Sequence, residues 1–136
     1  MLLGAHLLTA VSTVNSFDYA TAVEASQGDA FDVYLRLVDR ERHRAEQGYE
    51  PAGLRYVPAA GATMTVEFVS IDNAKRFTRV ATQPFPGDPS IWKAAVLASD
   101  PVRGTVDLKV ALTEAGVTRT FRLQAAVLVG DTSGVC

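Results

Sequence analysis

The residues able to do chemistry in this chain are few, and their spacing limits what they could do. There are two histidines, His6 and His43, and one cysteine, Cys136. Neither histidine has a partner motif, so a Ser-His-Asp triad or a multi-histidine metal centre has too few members to assemble. His43 lies inside Arg40-Glu41-Arg42-His43-Arg44. That stretch reads first as a solvated charged loop and second as a phosphate or partner contact. The carboxylates Asp29, Asp32, Asp39, Asp72, Asp88, Asp100 and Asp107 do not fall in an alternating acidic loop with a coordinating glycine. Most stand where turns are expected, and there an aspartate serves its own backbone. Glycines 28, 53, 61, 87, 104 and 116 are scattered singly and form no phosphate-cradling loop. No cofactor and no metal is expected, and the chain reads as a non-enzyme.

Aromatic residues offer a different chemistry. Trp92 follows the Pro-rich Phe85 segment, and Tyr49 and Tyr56 lie on a loop nearby in sequence, so the three could form a platform for sugar rings. The competing reading makes Trp92 a plug between two sheets, because its large surface contributes most when buried.

The elements that must hold these residues are strands. From Gly104 to Val129, apolar and polar residues alternate on both sides of Glu114-Ala115-Gly116, the pattern of a long β-hairpin. Val106, Leu108, Val110 and Leu112 form one apolar row, and Phe121, Leu123, Ala125, Val127 and Val129 form its partner. Thr105, Asp107, Lys109, Arg122 and Gln124 take the opposite, watered face. The alternation of Phe31, Val33, Leu35 and Leu37 with polar neighbours marks another half-buried strand. Met64, Val66 and Phe68 mark a third within residues 62–69, followed by a turn at 71–74 and a return strand over 75–82. Trp92, Ala94 and Val96 share one face of a strand over 91–98.

Two segments interrupt this pattern. Residues 39–58 have no apolar face and are punctuated by Gly48, Pro51, Gly53 and Pro58, so a long charged surface loop with room for one helical turn is expected. Residues 83–89 hold three of the six prolines and are expected to cross between sheets without being strand. Near the start, residues 7–14 and 17–25 are β-prone around Asn15-Ser16, and read as a hairpin or as an extended arm docked on a neighbouring subunit. On the second reading, removing residues 1–16 leaves a folded monomer that no longer assembles. The expected organisation is N-terminal strands or an assembly arm over 1–26, a β-sandwich over 27–130, and a flexible tail over 131–136.

At 136 residues with 48% hydrophobic and 21% charged residues, the chain can bury one core without staples. Its 13 Lys and Arg against 15 Asp and Glu give a formal charge of −2, which argues against nucleic acid as a primary ligand. No apolar run approaches the roughly 20 residues of a membrane span, and the apolar start lacks the basic flank of a secretory signal. Cys136 cannot form an intrachain disulfide; a free thiol is expected, with an intermolecular bridge as the alternative. The strand pattern gives an all-β chain, an antiparallel sandwich of about seven or eight strands, with a closed barrel as the rival.

Gln27-Gly28-Asp29 before an alternating strand, the run from Val57-Pro58-Ala59-Ala60-Gly61 through Phe68, Ile91-Trp92-Lys93, and Gly104-Thr105-Val106-Asp107 leading into the last hairpin together resemble tailed-phage virion proteins. The likeness is to the N-terminal Ig-like domain of baseplate upper proteins, over residues 27–129. The charged insertion over 39–49 and the extra N-terminal strands depart from that pattern. What the resemblance implies is an Ig-like sandwich acting as a structural adaptor of the tail, baseplate or head-tail region. Such a protein would be made in the host cytoplasm and kept in the virion as a homo-oligomer bound to other virion proteins. Its expected contacts are the N-terminal segment with Phe17 and Tyr19, and the charged loop with Arg40, Arg42, Arg44, Tyr49 and Tyr56. A carbohydrate- or host-surface-binding sandwich using Trp92, Tyr49 and Tyr56 is the alternative.

Overall fold

A computed structural model describes residues 2–11, 16–26, 30–39, 54–71, 77–96 and 104–130. The described residues form eleven strands and no helix: β1 (Leu3–Val11), β2 (Ser16–Tyr19), β3 (Val23–Ser26), β4 (Phe31–Asp39), β5 (Leu54–Arg55), β6 (Thr63–Ser70), β7 (Phe77–Ala81), β8 (Gln83–Phe85), β9 (Asp88–Val96), β10 (Gly104–Glu114) and β11 (Val117–Gly130). The first sheet has the order β2-β1-β4-β9-β8, with β5 also paired to β4; the second has the order β3-β11-β10-β6-β7. All pairings are antiparallel except β3 with β11. The strand number exceeds the expected seven or eight because β2, β3, β5 and β8 are short pieces of two to four residues.

The alternation seen in sequence decides how the sheets pack. Leu7, Val33, Leu35, Leu37, Trp92, Ala94 and Val96 of the first sheet share one core with Met64, Val66, Phe68, Val106, Leu108, Val110, Leu112, Val127 and Val129 of the second. Two sheets facing each other across one apolar layer define a β-sandwich. Phe31 and Phe68 meet edge to face across that layer, with ring centroids 6.3 Å apart, the geometry that aromatic quadrupoles favour.

Three local features differ from the sequence reading. Residues 3–11 pair antiparallel with β2, as the hairpin reading expects, and are not the loose arm of the alternative: β1 lies between β2 and β4, and Ala5, Leu7 and Leu8 are buried. Removing residues 1–16 would therefore take an inner strand out of the first sheet. The Pro-rich segment is strand and turn rather than a crossing. Pro84 is tolerated because β8 is an edge, where no ladder partner needs its missing N–H. Phe85 pairs with Asp88 around Pro86-Gly87, with Gly87 at φ 94°, the Pro-Gly order of a type II turn. The crossing falls one residue earlier, at Thr82, whose N–H and hydroxyl both donate to the Met64 carbonyl at 3.0 and 2.8 Å.

The third difference is in β11. Val106 pairs with Val127, but Leu108 pairs with Leu123, so β11 carries extra residues opposite Asp107. Ala125 is exposed at φ 51°, and Ala126 is buried in its place. The expected apolar row therefore breaks at Ala125. The Asp107 carboxylate holds the bulge by accepting the Ala125 N–H at 2.8 Å.

Candidate functional site

Of the candidate contact residues, Tyr56 is tied by the structure to a carboxylate on another element. Its N–H donates to the Leu37 carbonyl at 2.9 Å, fixing the segment after β5 to β4. Its hydroxyl donates to Glu114 Oε1 at the end of β10. Glu114 Oε2 accepts the Ala59 N–H at 2.9 Å, and Arg119 lies 3.6 Å from Oε1. One carboxylate thus clasps the segment 56–59 to the tip of the β10–β11 hairpin. The Tyr56 hydrogen bond, opposed by burial and aided by the Ala59 N–H and the Arg119 charge, holds the Glu114 carboxyl below its ordinary value. The same bond, with burial and the Glu114 charge, raises the Tyr56 phenol.

Phe17 and Tyr19 stand on β2, an edge of the first sheet, opposite Ala10 and Leu8. Arg40, Arg42, Arg44 and Tyr49 lie outside the described residues, as do His43 and Cys136. His6 stands on β1 opposite Arg36. Trp92 is 4% exposed and belongs to the core, so the sugar-platform reading fails for it: no ring face is open to a ligand. Its buried Nε1 has no hydrogen-bond partner among the described residues.

Two carboxylates do more than sequence reasoning assigned. Asp88 accepts the Ser90 N–H at 3.1 Å and its hydroxyl at 2.6 Å, the local turn duty expected. It also lies 3.5 Å from Arg36 and 3.7 Å from Arg55, joining β4, β5 and β9. Burial alone would raise its pKa; the Ser90 bonds and the two guanidinium groups outweigh burial and lower it. Asp107, expected on the watered face, is only 7% exposed. It accepts Arg122 Nε at 3.1 Å and Nη2 at 2.7 Å. An Asp inside a strand run is the sequence signal that could have marked the bulge, since strands disfavour it; its burial is seen only in the fold.

The polar face expected to lack a convergent site does gather charges. Across the outer face of the second sheet, Arg79, Glu67, Lys109 and Arg122 are successive cross-strand partners on β7, β6, β10 and β11. Arg79 reaches Glu67 at 3.0 Å. With Thr65, Ala111 and Thr120 they line a shallow groove of ≈ 630 Å³. One end of this face exposes Ile71, Phe77 and Leu128 at 58%, 46% and 40%. Among the described residues no three His, Cys, Asp or Glu side chains are grouped to hold a metal, and no helix is long and apolar enough to cross a membrane. No family model, curated protein or solved structure matches the chain.

Proposed function

We propose that this chain is a non-enzymatic structural subunit of a tailed-phage virion, an Ig-like β-sandwich that assembles with copies of itself and with other virion proteins of the tail, baseplate or head-tail region. The observation that carries the reading is how its polar groups are used. Glu114, Asp88 and Asp107 each fasten backbone or guanidinium groups of neighbouring elements, while apolar side chains remain exposed on a sheet face. Side chains spent on rigidity beside an uncovered apolar face suit a building block, because exposed apolar groups are what association covers.

Assembly through residues 1–26 takes a modified form in this reading. Since β1 is an inner strand, the contact there is the outer edge of β2, whose ladder groups on that side have no partner among the described residues. Open edges accept strand addition from another chain. The expected loop over 39–58 is shorter at both ends, since Asp39 closes β4 and Leu54–Arg55 pair with it as β5; the sequence between them remains a proposed contact through Arg40, Arg42 and Arg44.

Sedimentation of the purified chain across a wide concentration range tests self-assembly, and peptide mapping of purified phage particles tests the virion assignment. A chain that stays monomeric at every concentration, and is missing from particles of the phage that encodes it, would overturn the proposal.

A further inference from the structure

We infer that the outer face of the second sheet is a two-fold interface between copies of this chain, an inference that rests on the self-assembly reading above and names its surface. The row Arg122–Lys109–Glu67–Arg79 runs laterally across β11, β10, β6 and β7. Consider a two-fold axis parallel to the strands and midway between β10 and β6. It lays β10 over β6 of the second copy, and β11 over its β7. Lys109 then meets Glu67 of the second copy, and Glu67 meets its Lys109, so one charge pair is made twice. An interface of this kind must be self-complementary in this sense.

The neighbouring rows fit the same operation. Thr65 and Ala111 are cross-strand partners, so each lies over the other's counterpart, small side chain on small, which lets the sheets approach. The Ile71 N–H donates to the Thr105 carbonyl at 3.0 Å, and Thr105 is paired with Leu128. The axis therefore carries Leu128 to the end of the second copy's sheet where Ile71 and Phe77 are exposed. Arg122 falls over Arg79 of the second copy, a like-charge approach. Each has a carboxylate of its own chain beside it, Asp107 at 2.7 Å and Glu67 at 3.0 Å, which moderates the repulsion, although Glu67 is then shared between Arg79 and Lys109 of the second copy.

Lys109 is the one cation of the row with no carboxylate within ion-pair distance among the described residues. Five side-chain rows on β10 and the three that β7 spans bound a patch of roughly 500 Å² per copy from strand spacing and rise, the low end of specific interfaces. The dimer is accordingly expected to form in the micromolar range and to be reinforced where other contacts hold copies together.

The test is sedimentation velocity on the full chain with two charge reversals, each checked for an unchanged circular dichroism spectrum. Lys109→Glu leaves only acids at the two positions, and Glu67→Lys only bases. Each variant alone is expected to sediment as monomer at concentrations where the wild type is dimeric. An equimolar mixture of the two is expected to recover the dimer, because each copy then supplies the opposite charge. Leu128→Glu, on the exposed apolar end, is expected to weaken the dimer at least tenfold. A wild type that dimerises while all three variants dimerise equally well would overturn this interface and leave self-assembly standing. A wild type monomeric throughout would overturn both. Retention of the wild type but not of Lys109→Glu on a sulfated polysaccharide, with no change of mass in either, would give the groove to an anionic ligand and overturn the interface.

Discussion

Residue by residue, the sharpest constraint is where backbone conformation and side-chain type disagree. The β10–β11 turn places Ala115 at φ 50° and Gly116 at φ 78° between the paired Glu114 and Val117. Two positive φ values in a two-residue loop are the mark of a type I′ turn, which favours Asn-Gly. Glycine suits the second position, but alanine at the first bears the crowding of its Cβ in the left-handed region. Ala115→Asn is expected to raise stability by about 0.5 kcal/mol, read from the urea midpoint, since asparagine tolerates that conformation better. An unchanged or lower midpoint would show that the turn is held by its flanking strands alone.

The clasp at Glu114 belongs to the same scale and carries a pH dependence. Its carboxyl is held below the ordinary value of 4.5, and that of Asp88 below 3.8. A carboxyl lowered in the fold contributes stability above its unfolded pKa and loses it as pH falls through the folded one. Tyr56 is raised above 10.0, so its contribution is complete below that value and is lost as pH rises through the folded one. Stability should thus fall on both sides, below about pH 4 and above about pH 10. Tyr56→Phe is expected to cost about 1 kcal/mol near neutrality, the usual worth of one hydrogen bond, and to flatten the alkaline limb. Equal alkaline limbs in wild type and variant would exclude Tyr56 as its source.

Among the elements, what could be read from sequence was what period-2 alternation writes. Val33, Leu35 and Leu37, then Met64, Val66 and Phe68, then Trp92, Ala94 and Val96 all face the core as their spacing dictates. The β11 bulge escaped because its insertion keeps parity: Leu123 and Val127 both face inward, so the written pattern runs on while the strand does not. The place of β1 escaped for a different reason: Ala5, Leu7 and Leu8 are buried, but strand order leaves no local trace in the sequence. That burial sets a prediction. Leu7→Ala is expected to destabilise by about 2 to 4 kcal/mol, as for other buried leucines, whereas a loosely docked arm would lose well under 1. Among the candidate contacts Tyr56 is tied to Glu114, which is 58 residues away in sequence, a distance at which no spacing rule could have joined them.

At the scale of the whole molecule, the path of the chain argues that the sandwich unfolds as one unit. It changes sheet between β2 and β3, β3 and β4, β5 and β6, β7 and β8, and β9 and β10. Neither sheet is therefore a continuous stretch that could come apart alone while the other kept its connections. The core is likewise one cluster drawn from both sheets. Trp92 is the only tryptophan and sits inside that cluster, so its fluorescence reports contact between the layers, while circular dichroism reports the strands themselves. In the native chain its emission should be blue-shifted, resistant to aqueous quenchers and unmoved by added glycans, since its ring has no open face. In urea the two signals should follow a single superimposable transition, the behaviour of a cooperative domain. Loss of Trp92 burial well before loss of strand signal would mean that the layers separate while the sheets persist. In that event the crossings do not couple them, and the single core seen in the fold is not the unit of stability.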